Sequence, residues 1–321
     1  MRVYLDHNAT TPLRPEARKA MVAAMDIMGN PSSVHSEGRD AKSMMERARA
    51  QVAALVGCKT NQVIFNGSAT EAAALAVGQR DQHGGVFASL PTEHDCLNAW
   101  SEAKLPAIIN RKGALSPSGV TEMFNWVLAQ ADQEWQADRG PVALVAMSAA
   151  NSETGILPET AQVVPSSHIN AARAGSVPYS VICDITQMVG KMPVTYPDGQ
   201  TPSYMILSAH KIGGPKGIGA LINFTADDPV AQLRGGGQEM GRRSGTENII
   251  GIAGFGAAAE AAQRDVEAGA WDAVAVRRNS LETAIETRAP DTIFVGQAAT
   301  RLPNTTCMMT PGWKGETQVM Q

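Results

Sequence analysis

The segment "SAHKIGGPKG", residues 208–217, sets Lys211 between a histidine and a glycine-rich run, directly after the apolar stretch "YMILS". In an open α/β sheet the carboxyl ends of the strands form the usual ligand crevice, and an amine placed there can form a Schiff base with an aldehyde. Other apolar runs end on equally useful chemistry. "YSVICDITQ" delivers Asp184 and Gln187, "FASLPTEH" delivers His94, and "QVIFNGSATE" delivers a small-residue turn entering a helix. A carboxylate such as Asp184 keeps a pyridine nitrogen protonated, which makes the ring an electron sink. The backbone N–H groups of "GSAT" and the Thr70 hydroxyl suit a phosphate at a helix N-terminus, and His94 suits the face of the ring. Together these groups specify pyridoxal phosphate. Taken singly, each has a plain structural role: Lys211 reaching solvent, Asp184 capping a helix, "GSAT" an ordinary turn, His94 a satisfied surface histidine. Those roles leave the ordered recurrence at successive strand ends unexplained.

The elements that must position these residues follow from the apolar pattern. "QVIF", "GVFASL", "PAIIN", "VALVAM", "YSVICD", "YMILS" and "IGALINF" are short runs bounded by Gly, Pro or polar clusters. Their continuous apolar character predicts strands covered on both faces. Between them lie helical patterns such as "TEAAALAVGQR" and "TEMFNWVLAQADQEW", so the class is α/β. An early helix over "GRDAKSMMERARAQVAALV" is expected to stop at Gly57. After about residue 250 the composition shifts to one or two alanine-rich helices, with "TIFVG" and "TTCMM" as strands of a smaller lobe. The glycine-rich "RGGGQEMGRRSGTEN" joins the lobes.

The chain has 321 residues, 44% hydrophobic and 18% charged, with a formal net charge of −4. That is enough to bury a full core across two lobes, and the acidic balance argues against nucleic-acid or membrane-surface binding. "MRVYLDHNATTP" lacks the regions of a secretory signal, and no run of about 18 apolar residues suggests a membrane span; a cytoplasmic protein is expected. Cys58, Cys96, Cys183 and Cys307 are scattered without a CxxC pair, which excludes a zinc or dithiol pattern and predicts small buried residues, above all for Cys183 and Cys307. No metal site is expected. "GGPKG" is not a Walker A loop and no GxGxxG fingerprint is present, so nucleotide-binding readings rank low.

"VYLDHNATTP", "GNPSSVHSEGR", "TEH", "NSETG", "CDITQMVGK", "SAHKIGGPKGIGAL", "RGGGQEMGRRSGTEN" and "LPNTT" resemble the successive signature segments of the cysteine desulfurases, in the aminotransferase class V group of pyridoxal phosphate enzymes. The resemblance implies fold type I: a large domain, residues 15–257, with a mainly parallel seven-stranded sheet between helices, and a smaller α/β domain from residues 1–14 and 258–321. It implies that Lys211 joins the cofactor and later moves protons at the substrate α-carbon, that Asp184 pairs with the ring nitrogen, that Gln187 bonds the ring hydroxyl, and that His94 stacks on the ring. Ala69, Thr70, Ser208 and His210 would hold the phosphate, joined by Thr246 from the second subunit of a homodimer. L-cysteine would be the substrate and an iron-sulfur scaffold or other sulfur acceptor the partner.

The sequence departs from the family pattern in two places. The family's persulfide-forming cysteine follows the "GET" helix, whereas this sequence ends at "GETQVMQ", which reads as a C-terminally shortened form. "NSETG" has Ser152 after Asn151 where relatives carry a second asparagine, which shortens the reach of that substrate-binding pair. Cys96 is the one thiol close in sequence to the proposed ring, and a helix position predicts that it packs inward. A non-catalytic assembly subunit of the same fold, or a pyridoxal phosphate lyase or selenocysteine-directed relative, stand as alternatives.

Overall fold

The computed structural model describes residues 3–102, 126, 129, 143–158, 179–196 and 201–315. The expected strand "PAIIN", the "TEMFNWVLAQADQEW" helix apart from residues 126 and 129, and "GETQVMQ" beyond Gly315 lie outside them.

Among the described residues, six apolar runs form one sheet: β1 (Val63–Asn66), β2 (Phe87–Ser89), β3 (Leu144–Ser148), β4 (Ser180–Asp184), β5 (Tyr204–Ser208) and β6 (Gly219–Asn223). Their order is β1-β6-β5-β4-β3-β2. Strands β2 to β5 are parallel, while β6 runs antiparallel to both β5 and β1. The reversal at β6 follows from its connection, residues 209–218, which is too short for a crossover helix back to the same edge.

Alternate residues of each strand enter two separate apolar clusters. Val63, Phe65, Val181, Cys183, Met205, Leu207 and Ile222 join Met45, Val52 and Phe255 on one face. Ile64, Ile182, Tyr204, Ile206 and Leu221 join Leu75 and Leu97 on the other. The first face is covered by α1 (Pro15–Met25), α2 (Ser36–Val56) and α5 (Ile249–Glu267), which pack on one another; the second by α3 (Ala69–Val77) and α4 (Asp95–Asn98). A sheet covered on both faces explains why its strands read as unbroken apolar runs.

Helix α2 begins at Ser36, earlier than the apolar pattern suggested, because His35 caps it by accepting from the Gly38 N–H. It stops at Gly57, whose φ of 69° is a left-handed conformation that glycine adopts without a Cβ penalty. The alanine-rich segment divides at Gly269 into α5 and α6 (Ala270–Arg288), and residues 257 and 258 fall inside the continuous helix α5. Strands β7 (Ile293–Val295) and β8 (Cys307–Met309) form a separate antiparallel pair. They are tied to α6 by the buried ion pair of Arg301 with Glu282 at 2.5 Å. Cys183 is fully buried as expected, but Cys307 is only partly so. A two-stranded ribbon buries little of its own surface, and Met308 and Met309 beside it are exposed.

Candidate active site

Strands β1 to β5 all deliver their carboxyl ends to one edge of the sheet. Gly219, the first residue of β6, pairs with Asn66 on one side and Ser208 on the other, and Ser148 pairs with Asp184 across β3 and β4. Lys211 follows within a single 3-10 turn, residues 209–211, immediately after β5. The antiparallel return of β6 is therefore what turns the Lys211 segment back over this edge.

Asp184 is 8% exposed, and its Oδ1 accepts from the Thr186 N–H at 2.8 Å. Among the described residues it forms no ion pair. Burial pushes its pKa up, opposed by the charges of His94 and Lys211, as expected for a carboxylate lacking a partner cation. Lys211 is part-buried, and desolvation pushes its amine pKa down against the pull of Asp184, Asp6 and Glu153. A lowered pKa leaves more of the amine uncharged, and that is the form that attacks an aldehyde.

Asn8 holds this centre together. Its carbonyl accepts from both Lys211 Nζ and Gln187 Nε2, the latter at 2.9 Å. Its side-chain oxygen accepts from Asn304 Nδ2 at 3.0 Å, and its Nδ2 donates to Thr305 Oγ1 at 3.1 Å. The chain after Asn8 continues as a strap along the lysine turn. Thr11 N–H donates to the His210 carbonyl, Thr11 Oγ1 to the Lys211 carbonyl, and Arg14 N–H and Nε to the carbonyls of Gly213 and Ile212. At Gly213, with φ of 81°, a Cβ would lie 2.5 Å from Arg14 Cγ, so the strap requires glycine there. Sequence reasoning missed Asn8 because its contribution to the lysine is a backbone carbonyl, which residue type does not reveal. "LDHNATTP" and "LPNTT" were the only signals, and the structure gives both a role.

At the β1 side, Ser68 caps α3 by accepting from the Glu71 N–H at 3.2 Å, and Ala69 and Thr70 open the helix with Thr70 exposed. A Cβ on Gly219 would lie 2.8 Å from Ser68 C and 2.7 Å from the Leu207 carbonyl oxygen, so glycine lets the helix start approach Ser208 closely. His210 Nδ1 lies 3.1 Å from Thr10 Oγ1. Glu71, in the first turn, would repel an anion, but Arg243 Nε reaches its carboxylate at 2.6 Å. The ion pair offsets that charge and docks the loop carrying Thr246, which is exposed.

At the β2 side, exposed His94 accepts the Cys96 N–H on Nδ1 at 3.1 Å, capping α4. The acceptor role assigns the proton of the neutral ring to Nε2. Cys96 packs inward into the core as predicted. Glu93 is bonded by Ser148 Oγ, and burial pushes its pKa up to about 7. Asn151 is committed to its own turn: Oδ1 accepts from the N–H groups of Glu153 and Thr154, and Nδ2 donates to the Thr92 carbonyl at 3.0 Å. Ser152 is part-buried beside it.

The arrangement thus has an amine of lowered pKa, a buried carboxylate that forms no ion pair among the described residues, and a helix N-terminus held against a strand end. The profile of the aminotransferase class-V family matches residues 3–318. A cysteine desulfurase of Enterobacter agglomerans is 37% identical over 317 residues, covering 94% of this chain and 73% of that protein. The cysteine desulfurase of Frankia sp. (strain EuIK1) is 35% identical over 325 residues with the same coverage of each. Among solved structures, a NifS-like protein from Rickettsia africae superposes with a TM-score of 0.80 at 27% identity, covering all of this chain and 84% of that one.

Proposed function

As this chain belongs to the aminotransferase class-V family and, within it, to the cysteine desulfurases, we propose that it binds pyridoxal phosphate at Lys211 and removes sulfur from L-cysteine, leaving L-alanine. The observation that carries the reading is Asp184: a buried carboxylate without an ion pair among the described residues, on the same sheet edge as Lys211. A cationic ring nitrogen compensates such a charge, so the site fits this cofactor. When bound, pyridoxal phosphate supplies an electron-withdrawing ring that eases loss of the proton on the substrate α-carbon.

The chain's own residues do the rest. Lys211 Nζ would hold the aldehyde carbon and then move the proton at the substrate α-carbon. Asp184 would keep the ring nitrogen protonated, Gln187 Nε2 would donate to the ring oxygen, and His94 would cover the ring. Ala69, Thr70, Ser208 and His210 bind the phosphate with the N-terminus of α3. Asn151 and Ser152 border the substrate. We assign the protein to the cytoplasm as a homodimer, in which Thr246 of one copy completes the phosphate site of the other. No helix among the described residues is long and apolar enough to cross a membrane.

The four cysteines described are poorly suited to accept the sulfur. Burial pushes Cys58 and Cys96 up to about 12 and Cys183 higher, and Cys307 is also raised; a nucleophilic thiol needs the opposite shift. A cysteine of the enzyme outside these 321 residues, an iron-sulfur scaffold, another acceptor protein or a small thiol meets that need. The test is to load the protein with pyridoxal phosphate, reduce with borohydride and map the labelled peptide, then follow alanine release from L-cysteine with dithiothreitol as acceptor. Label on Lys211 with alanine release is expected. Label elsewhere, or no alanine, overturns the reading.

A further inference from the structure

Behind Lys211 lies a second and more deeply buried lysine. Lys191, in the turn after β4, is 4% exposed. Its Nζ donates to Gln187 Oε1 at 3.1 Å, while Nε2 of the same amide donates to the Asn8 carbonyl at 2.9 Å. That carbonyl is the one that receives Lys211 Nζ. An ammonium only donates and a carbonyl only accepts, so the amide orientation is settled from both ends: oxygen toward Lys191, nitrogen toward Asn8 and Lys211. The sequence "TQMVGK" spaces the two side chains four residues apart, within one turn.

The fold houses this lysine firmly. Val189 N–H donates to the Ile185 carbonyl at 2.8 Å and Lys191 N–H to the Met188 carbonyl at 3.1 Å. Between them Gly190 has φ of 73°, and a Cβ there would lie 2.9 Å from both Ala262 Cβ and Ile212 Cγ2. Trp271 Nε1 on α6 donates to the Gly190 carbonyl at 2.8 Å. Burying an ammonium is costly unless a counter-charge offsets it, yet among the described residues no carboxylate forms an ion pair with Lys191. The charged group acting on it is Lys211, which in turn feels Asp184, Asp6 and Glu153. Burial, and then the Lys211 charge, lower the Lys191 amine to about 8. A costly buried cation, aimed through one amide at the imine-forming amine, is an arrangement that general packing does not require.

We propose that Lys191 is a positioning residue for Lys211: it fixes the Gln187 amide nitrogen as the donor presented to the cofactor's ring oxygen, and it sets a buried positive charge that disfavours protonation of the Lys211 nitrogen. The proposal rests on the reading that Lys211 carries pyridoxal phosphate. Its readout is the spectrophotometric pH titration of the cofactor-lysine chromophore in the holoprotein without substrate. Lys191→Met should raise the midpoint by about one unit, a tenfold gain in proton affinity. Lys191→Gln keeps a hydrogen-bond donor without the charge, should also raise the midpoint, and serves where the methionine variant gives no soluble holoprotein. A lysine that merely fills space would change thermal stability and leave the midpoint in place, so an unshifted midpoint in either variant overturns the proposal. Failure of the underlying reading shows separately: the unmodified protein then retains no borohydride-fixed cofactor on Lys211, and both fall together.

Discussion

Lys211 and Asp184 carry the proposed chemistry, and Glu93, which feels the Asp184 charge, adds a sensitivity to pH. Its carboxylate accepts from Ser148, the register partner of Asp184, and burial together with the Asp184 charge raises its pKa from 4.5 to about 7. The folded state therefore binds this proton more tightly than the unfolded chain does. Its contribution to stability is full below about pH 4.5 and is lost as pH rises through about 7. Glu93→Gln keeps an oxygen for Ser148 and removes the charge. Calorimetry of the cofactor-free protein should find this variant more stable than the parent at pH 8, by roughly 2–4 °C or more in Tm, and without that advantage at pH 4. The same increment at both pH values would refute the assignment. The residue types at the strand ends were legible in the sequence because an amine, a carboxylate and a histidine announce their chemistry. The Asn8 carbonyl and the Glu93 environment were not, since the first is backbone and the second is created by burial.

Among the elements, the loop between β6 and α5 shows how an exposed sequence is held in register. Its glycine-rich, basic composition reads as a surface loop, yet Glu239 within it is buried. Its carboxylate pairs with Arg49 of α2 through two contacts of 2.8 Å, and it also accepts from the Phe65 N–H at 3.0 Å. Glu239 and Met240 adopt φ of 47° and 58°, conformations that L-residues enter only when their surroundings enforce them. The ion pair supplies that enforcement. Glu239→Gln removes the buried counter-charge of Arg49 and leaves it only the more exposed Glu46, 3.2 Å from its Nε, and chemical denaturation should show a loss of about 3 kcal/mol. A loss below about 1 kcal/mol would mean that the loop is held by other contacts. Arg243, four residues on, then places the Thr246 segment against the first turn of α3 through Glu71. The sequence marked this loop as distinctive; only the tertiary contact with a helix some 190 residues earlier shows what anchors it.

At the scale of the molecule, three distant segments meet at one sheet edge: the strap beginning at Asn8, the lysine turn after β5, and "LPNTT" before β8. Burial raises the pKa of all four cysteines. A variant with all four changed to Ala should retain alanine release with an external thiol, to within about threefold of the parent once its folded fraction is matched. Loss of release at matched folding would place a nucleophile among them. The strand and helix pattern, the α/β class and the succession of chemical groups at strand ends were all determined by the sequence, because apolar periodicity and side-chain type are local properties. The antiparallel return of β6, the amide chain from Lys191 through Gln187 to Asn8, and the unpaired burial of Asp184 were decided only by the tertiary structure. Each depends on which backbone atoms and charges lie close in space and on how much water remains between them, and neither quantity is a property of any single stretch of chain.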